Sequence, residues 1–323
     1  MNPPFDRTIP DAAAAEEAAT RELAREIIAG LGAPVPFVSP KFFYDTLGSH
    51  LFEAITALPE YYPTRTEKAL LARHAAAIAR AAGAGVTLID LGAGNCEKAR
   101  LLLGELSVAQ YAAVDISVDF LRGSLEALRR DHPHLDVLGI GADLSSDFAL
   151  PPEVREDRRL FAYLGSSIGN FTPADAHSLL ARIRGQLRRG GGLLIGVDLV
   201  KPDRVLHEAY NDALGVTAAF NLNLLRHVNA RIGSDFDVRD WRHCAFFNPA
   251  HSRIEMHLEA ARDLQVRWPE GSRAFAKGER IHTENSYKYR LKDFRAMLEN
   301  AGFPRVESWT DDDAWFALYL ASA

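Results

Sequence analysis

Leu88-Ile89-Asp90-Leu91-Gly92-Ala93-Gly94 is an apolar run that ends in a carboxylate and opens into two glycines. Residues 86–91 read as a buried strand, because one charge in six residues leaves no polar face to turn toward water. Glycines at 92 and 94 reach backbone angles closed to other residues and let a ligand approach the main chain. Glu97–Leu103 then reads as a helix. Strand, glycine turn and helix in that order open a doubly wound α/β sheet with a ligand at the carboxyl edge of its strands.

The texture repeats on both sides. Strands are expected over 110–116, 136–140, 160–164 and 193–200, with helices between most of them. The clearest helix follows Phe171: Thr172 caps it, Pro173 takes its first position, and Ala176, Leu179, Leu180, Ile183 and Leu187 line one face. Buried strands joined by helices mean a mostly parallel sheet. Near the C-terminus, 305–309 and 315–320 are strands joined tightly through Asp311-Asp312-Asp313, an antiparallel hairpin. Upstream, a helix over 12–31 carries Leu23, Ile27, Ile28 and Leu31 on one stripe. Pro59-Glu60-Tyr61-Tyr62-Pro63 is expected to be non-helical, and Thr64 with Glu67 forms a capping-box pattern that starts a helix to about residue 82.

Residues 201–287 break the alternation. A helical stretch is expected over 205–228. Ile254, Met256, Leu258 and Ala260 then alternate with Arg253, Glu255, His257 and Glu259, the mark of a half-solvated antiparallel strand. The expected division is a cofactor-binding domain, 66–200 with 288–323, and a substrate-binding domain, 1–65 with 201–287.

Composition narrows the function. A chain of 323 residues with 47% hydrophobic and 25% charged residues supports a large core and a second lobe. Its net charge of −6 opposes a nucleic-acid partner. Two cysteines, Cys96 and Cys244, build neither a disulfide framework nor a thiolate cage, which fits a reducing cytoplasm. Pro3, Pro4 and Asp6 open a stretch unlike a signal peptide, and no apolar run is long enough to span a bilayer. A cytoplasmic monomer bound to no membrane is expected.

Asp115 ends the second strand 21 residues after Gly94, where a carboxylate can bond ribose hydroxyls. Asp143, with Leu144 beside it, closes the third within reach of an adenine. A nicotinamide fingerprint wants a third glycine at position 97, but Glu97 stands there and would repel a pyrophosphate at the helix N-terminus. A sulfonium cofactor carries no phosphate. The expectation is therefore S-adenosylmethionine, released as S-adenosylhomocysteine, on a Rossmann-like α/β fold of the class I methyltransferase type with an antiparallel C-terminal hairpin, plus a smaller α+β substrate lobe. A NAD-dependent oxidoreductase is the rival from another class. Lys98 is open between a solvated surface lysine and a reach to the cofactor's methionine carboxylate.

The fourth strand ends in Gly165-Ser166-Ser167-Ile168-Gly169-Asn170-Phe171. Asn170 offers a donor and an acceptor, suited to an amine or carboxylate, and is otherwise a turn asparagine. That run, with Phe43-Tyr44-Asp45, Leu58-Pro59-Glu60-Tyr61-Tyr62-Pro63-Thr64-Arg65-Thr66-Glu67, Tyr210-Asn211-Asp212 and Ala218-Ala219-Phe220-Asn221, resembles the L-histidine Nα-methyltransferases of ergothioneine biosynthesis from about residue 35 onward. The resemblance implies three methylations of histidine to its Nα-trimethyl betaine, hercynine. It puts Asn170 and Tyr210 on the substrate carboxylate and amine, Tyr44 near the amine, Tyr61 on the imidazole, and Glu284 and Ser286 on the imidazole nitrogens. Met256 is by default a core methionine; in the family, methionine and glutamate here mark histidine rather than tryptophan as substrate. A related enzyme acting on tryptophan or another amino acid is the nearest rival.

Residues two apart in an extended segment share a face, so a carboxylate at 284 and a hydroxyl at 286 can bond both imidazole nitrogens; the plain alternative is a solvated strand face. His282 lies on that face, and His282 with Glu284 makes too few ligands for a metal. Asn285 stands where a small or apolar residue is expected. Cys96 reads as an inert small residue.

Overall fold

The computed structural model describes residues 12–146 and 148–323; the stretch containing Pro3, Pro4 and Asp6 lies outside them. The described residues divide into two units. One comprises Tyr62–Lys201 and Ser286–Ala323, and the other Pro202–Asn285 with the described part of Met1–Tyr61. No helix among the described residues is long and apolar enough to cross a membrane.

The first unit is built on a seven-stranded sheet. With elements numbered in chain order, β1 (Val86–Leu91), β2 (Val108–Asp115), β3 (Asp136–Gly141), β4 (Arg159–Tyr163) and β5 (Gly192–Asp198) are joined by β11 (Arg305–Thr310) and β12 (Phe316–Ser322) in the order β11-β12-β5-β4-β1-β2-β3. β1 through β5 pair in parallel, and β12 runs antiparallel to both β5 and β11. All positions of β1 and β5 are buried, which is why both read as unbroken apolar runs. Strand order reverses between β1 and β4, so the turns leaving those strands flank the crevice where such sheets bind ligands.

Helices cover the sheet: α3 (Tyr62–Ala82), α4 (Glu97–Leu103), α5 (Val118–Asp131), α6 (Pro173–Gly185) and α9 (Leu291–Asn300). Thr172 caps α6, its side chain accepting from Asp175 N at 3.2 Å. Burial of Leu179, Leu180 and Ile183 secures that helix, each side chain contributing about 1.5–3 kcal/mol. One expectation fails here. α3 begins at Tyr62 with Pro63 in its first turn, where a proline's missing N–H has no helical partner to lose. Thr64 and Glu67 are therefore interior to the helix and form no capping box.

The second unit holds α1 (Ala12–Gly32), α2 (Thr46–Thr56), α7 (Asp203–Tyr210) and α8 (Val216–Ile232). Its strands are β6 (Trp241–Asn248), β7 (Arg253–Ala260), the hairpin β8 (Leu264–Trp268) and β9 (Gly271–Phe275), and β10 (Arg280–Tyr287), whose last two residues belong to the first unit. β10, β7 and β6 form one sheet in that order. The single helix expected over 205–228 is two helices. Asp212 breaks it, its carboxylate accepting from Val216 N and Thr217 N at 2.8 Å each to cap α8. The alternation in β7 holds for its apolar face, but Glu255 on the other face is buried rather than solvated. Arg253 Nη2 and Asn248 Nδ2 donate to its Oε1 at 2.7 and 2.9 Å.

Candidate active site

The glycine turn leaves β1 as the sequence predicts. Gly92 and Gly94 have φ of +67° and +53°, and among the described residues no atom beyond the glycine's own chain neighbours lies within 4 Å of a Cβ built at either. The turn is an open cradle that side chains would fill. Asp115, at the end of β2, accepts from Gly94 N and Ser117 N at 2.8 Å each, one per carboxylate oxygen. Each oxygen keeps a lone pair, so the carboxylate fixes the turn and can still accept ribose hydroxyls. Asp143 lies two residues past β3 and takes the Ser145 N–H at 2.8 Å; Leu144 packs half-buried on the core. Glu97 occupies the first turn of α4 and pairs with Lys68 at 2.5 Å, so a carboxylate stands where a pyrophosphate would need to be. This donor set fits a nucleoside without phosphate.

Lys98 is held rather than solvated. Its Nζ lies 2.7 Å from Glu67, whose side chain is 0% exposed. The same carboxylate accepts Gly165 N at 2.8 and 2.9 Å. Glu67 thus ties α3, α4 and the turn after β4 together. Cys96 is buried, and burial pushes its thiol up to about 12, which fits an inert residue.

Asn170 ends a 3-10 turn, Ser167–Asn170, that begins after Ser166 at φ +58°. A Cβ at Gly169 would meet Tyr287 O at 3.0 Å, Tyr287 N at 3.2 Å and Ser286 Oγ at 3.6 Å. Glycine at 169 therefore lets the Asn170 turn close onto Ser286. Behind Ser286 lies a polar network that sequence reading missed. Lys288 Nζ donates to Ser286 Oγ at 2.8 Å and pairs with Asp198 Oδ2 at 2.8 Å. Tyr62 Oη donates to the same carboxylate at 2.7 Å, and Lys201 Nζ lies 2.5 Å from its Oδ1. Burial alone would raise the Asp198 carboxyl, but the two lysines hold it below its ordinary value. Burial pulls Lys201 down to about 8 against the attraction of Asp198. These partners lie up to 139 positions apart in sequence, so no local pattern marks them.

In the second unit Tyr44, Tyr61 and Tyr210 meet in one aromatic chain. Tyr44 contacts Phe52 and Phe220 at 5.8 Å between ring centres, Phe52 contacts Tyr61 at 6.3 Å, and Tyr61 contacts Tyr210 at 6.4 Å. Asp45 and Asn221 set these residues rather than joining them. Asp45 caps α2 through Gly48 N at 2.7 Å and accepts from Asn223 at 2.8 Å. Asn221 donates to His243 Nδ1 and His257 O at 2.9 Å each and accepts from Thr283 Oγ1 at 2.9 Å. His243 Nε2–H donates to Tyr210 O at 2.9 Å, which fixes a neutral tautomer and anchors the end of α7. Met256 is buried opposite Ala245. Glu284 is 8% exposed and Ser286 5%, so neither belongs to a solvated strand face.

His282 does not pair with Glu284 as a metal couple. Its Nε2 lies 2.9 Å from Asn285 Oδ1, which gives Asn285 a partner the sequence did not foresee. His282 does gather with Glu255 and His257, their ligand atoms within 4.8 Å of one another. The Arg253 guanidinium on Glu255 places positive charge beside that trio, and burial lowers the pKa of both histidines.

A parallel sheet reversed at the glycine turn, a carboxylate at the end of β2 and a terminal antiparallel hairpin define a class I S-adenosylmethionine-dependent methyltransferase. The model of a family described as histidine-specific, S-adenosylmethionine-dependent methyltransferases matches residues 23–323. The histidine N-alpha-methyltransferase of Mycolicibacterium smegmatis is 41% identical over 313 residues, covering 95% of this chain and 97% of that protein. The protein of the same name from Mycobacterium tuberculosis is 39% identical over 320 residues, covering 95% and 97%. Ergothioneine biosynthesis protein 1 of Neurospora crassa is 34% identical over 83% of this chain and 31% of its own length. Among solved structures, a possible exported protein of Bordetella parapertussis shares the fold at a TM-score of 0.50 and 16% identity, covering 100% of this chain and 99% of that one. The chain belongs to the histidine-specific, S-adenosylmethionine-dependent methyltransferase family.

Proposed function

We propose that this protein methylates the α-amino nitrogen of L-histidine three times, giving hercynine as the first step of ergothioneine biosynthesis. One observation carries the reading: a carboxylate and a hydroxyl two residues apart on β10, Glu284 and Ser286, are both buried. An imidazole, with one N–H and one lone pair, complements the pair.

S-adenosylmethionine supplies an already activated methyl group, bound through Gly92, Gly94, Lys98, Asp115, Asp143 and Leu144. The chain's own residues must present a neutral amine in line with it, and proximity of that kind lowers barriers by about 7–11 kcal/mol. Asn170 and Tyr210 hold the substrate carboxylate and amine, Tyr44 orients the amine, and Tyr61 contacts the imidazole. The amine sheds a proton before each of the three rounds, because only a free lone pair can form the new nitrogen–carbon bond. The product becomes a fixed cation, and aromatic faces stabilise such a cation by about 0.5–2 kcal/mol. Met256 is buried on β7 and, with Glu284, favours histidine over tryptophan in this reading. The protein acts as a cytoplasmic monomer, a reading that fits its two free cysteines.

The test mixes protein and S-adenosylmethionine with histidine or with tryptophan and follows each amino acid by mass. Three successive methyl additions to histidine are expected. Unchanged histidine, or methylated tryptophan in its place, would sink the reading.

A further inference from the structure

Two neighbouring residues of α3 meet two neighbouring residues of α4 with their charges crossed. Glu67 pairs with Lys98 at 2.7 Å, and Lys68 pairs with Glu97 at 2.5 Å. The second pair is partly exposed and contributes little. The first is no surface pair: the Glu67 side chain is fully buried, while that of Lys98 keeps 25% exposure. Of the two, only the lysine has surface left for a ligand to touch.

Two glycines make room for the Glu67–Lys98 pair. A Cβ at Gly196 of β5 would stand 1.8 Å from Glu67 Oε1, and a Cβ at Gly165 would stand 2.7 Å from Lys98 Nζ. The Gly165 amide donates to both carboxylate oxygens, at 2.8 and 2.9 Å. Glu67 is thereby fixed by the sheet and by the turn after β4 before it meets the lysine. Asp90 feels the same ammonium, but its carboxyl is bonded by Tyr111 Oη at 2.8 Å. Glu97 is engaged by Lys68. Glu67 is the group that sets where the Lys98 ammonium stands.

We infer that Glu67 is a positioning residue for the cofactor: sealed from any ligand itself, it holds the Lys98 ammonium over Gly165, and through that lysine it orders the contact with the carboxylate of S-adenosylmethionine. The inference rests on the reading of Lys98 as a cofactor contact and adds what aims it. An ammonium has three N–H donors, so one spent on Glu67 leaves two for a second carboxylate. Ordering a long side chain at the moment of binding subtracts from affinity, and a lysine ordered beforehand avoids that loss.

The experiment uses the full chain and two probes. One is S-adenosylhomocysteine; the other is methylthioadenosine, which keeps the adenosine and the thioether but has no amino-acid end. Calorimetry measures both on the unaltered protein, Glu67→Gln, Lys98→Met and the double variant. Glutamine keeps an acceptor for the Gly165 amide but no charge for the lysine. Glu67→Gln should weaken S-adenosylhomocysteine about tenfold and leave methylthioadenosine unchanged. In the Lys98→Met background it should add almost nothing, because Glu67 acts through the lysine. In turnover the loss should appear in the cofactor KM more than in kcat. Equal weakening of both probes would reduce Glu67 to a structural residue and overturn the inference. So would unchanged or tighter S-adenosylhomocysteine binding, the latter making Glu67 a competitor for the ammonium. If Glu67→Gln fails to fold, Gly165→Ala tests the contact from the other side, since its methyl displaces the Lys98 ammonium. The same selective loss is expected there, and an equal loss on both probes, or none, overturns the inference. If the unaltered protein binds the two probes equally well, the Lys98 reading itself fails and the inference falls with it.

Discussion

Both carboxylate oxygens of Glu67 receive the Gly165 amide, at 2.8 and 2.9 Å, from a residue 98 positions away. The contact lets the turn after β4 keep a left-handed glycine, φ +88°, against the Lys98 ammonium. Glu67→Ala leaves a buried amide and a partly buried cation without their acceptor. Breaking a buried pair in this way costs about 3 kcal/mol. Denaturant unfolding should report that loss. Glu67→Gln, which keeps one acceptor oxygen, should lose less than half as much; equal losses would mean that packing, not the acceptor, is what Glu67 supplies.

Asp90 gives a pH dependence of the opposite sign to most carboxylates. Burial pushes its carboxyl up to about 7 from 3.8, although the Tyr111 hydroxyl, donating at 2.8 Å, pulls the other way. Between those values the folded chain binds more protons than the unfolded one, so this group makes stability fall as pH rises, with the full effect above about 7. Asp90→Asn does not titrate. Its stability relative to the unaltered protein should rise by about 2–3 kcal/mol between about pH 5 and about pH 8. A difference that stays constant with pH would show that Asp90 is ionised throughout.

The sheet and its ligand edge were legible because their signals are local. Val86–Leu91 has four apolar residues in six, Gly92 and Gly94 punctuate it, and Thr172-Pro173 announces α6. Glu67 was misread for the same reason. Three residues after a threonine it completes a local pattern, while its real partners, Gly165 and Lys98, are distant in sequence. Asp212 within 205–228 is similar: a polar residue on an amphipathic stretch looks like surface until it is seen to cap α8. Tyr62, Asp198, Lys201 and Lys288 carry no spacing rule at all, since each is an ordinary residue made consequential by burial beside the others. Periodicity shows which face is apolar but not which polar groups the fold will bury together.

Asp115 links the glycine turn to the start of α5, since its two oxygens accept Gly94 N and Ser117 N. Asp115→Ala removes both bonds and the acceptor proposed for the ribose. Hydrogen bonds to a charged group are worth about 1.5–3 kcal/mol, so S-adenosylmethionine should bind at least about tenfold more weakly. Titration calorimetry with S-adenosylhomocysteine checks this, and histidine affinity at saturating cofactor should change much less. Unaltered cofactor affinity would remove Asp115 from the donor site.

Glu284 separates the substrate assignment from the cofactor assignment most cleanly. It is buried, lies on β10 and has no part in the glycine turn, so its removal should leave S-adenosylmethionine binding intact. Glu284→Ala takes away the one charged acceptor proposed for the imidazole N–H. Losing a charge-assisted hydrogen bond of about 2–3 kcal/mol weakens histidine by roughly 30- to 100-fold. Glu284→Gln can still accept through its amide oxygen and should lose only about tenfold. Wild-type histidine affinity in Glu284→Ala would move the imidazole elsewhere. A loss of cofactor binding in the same variant would instead make Glu284 a structural residue, because a group confined to the acceptor side cannot weaken the donor while the protein stays folded.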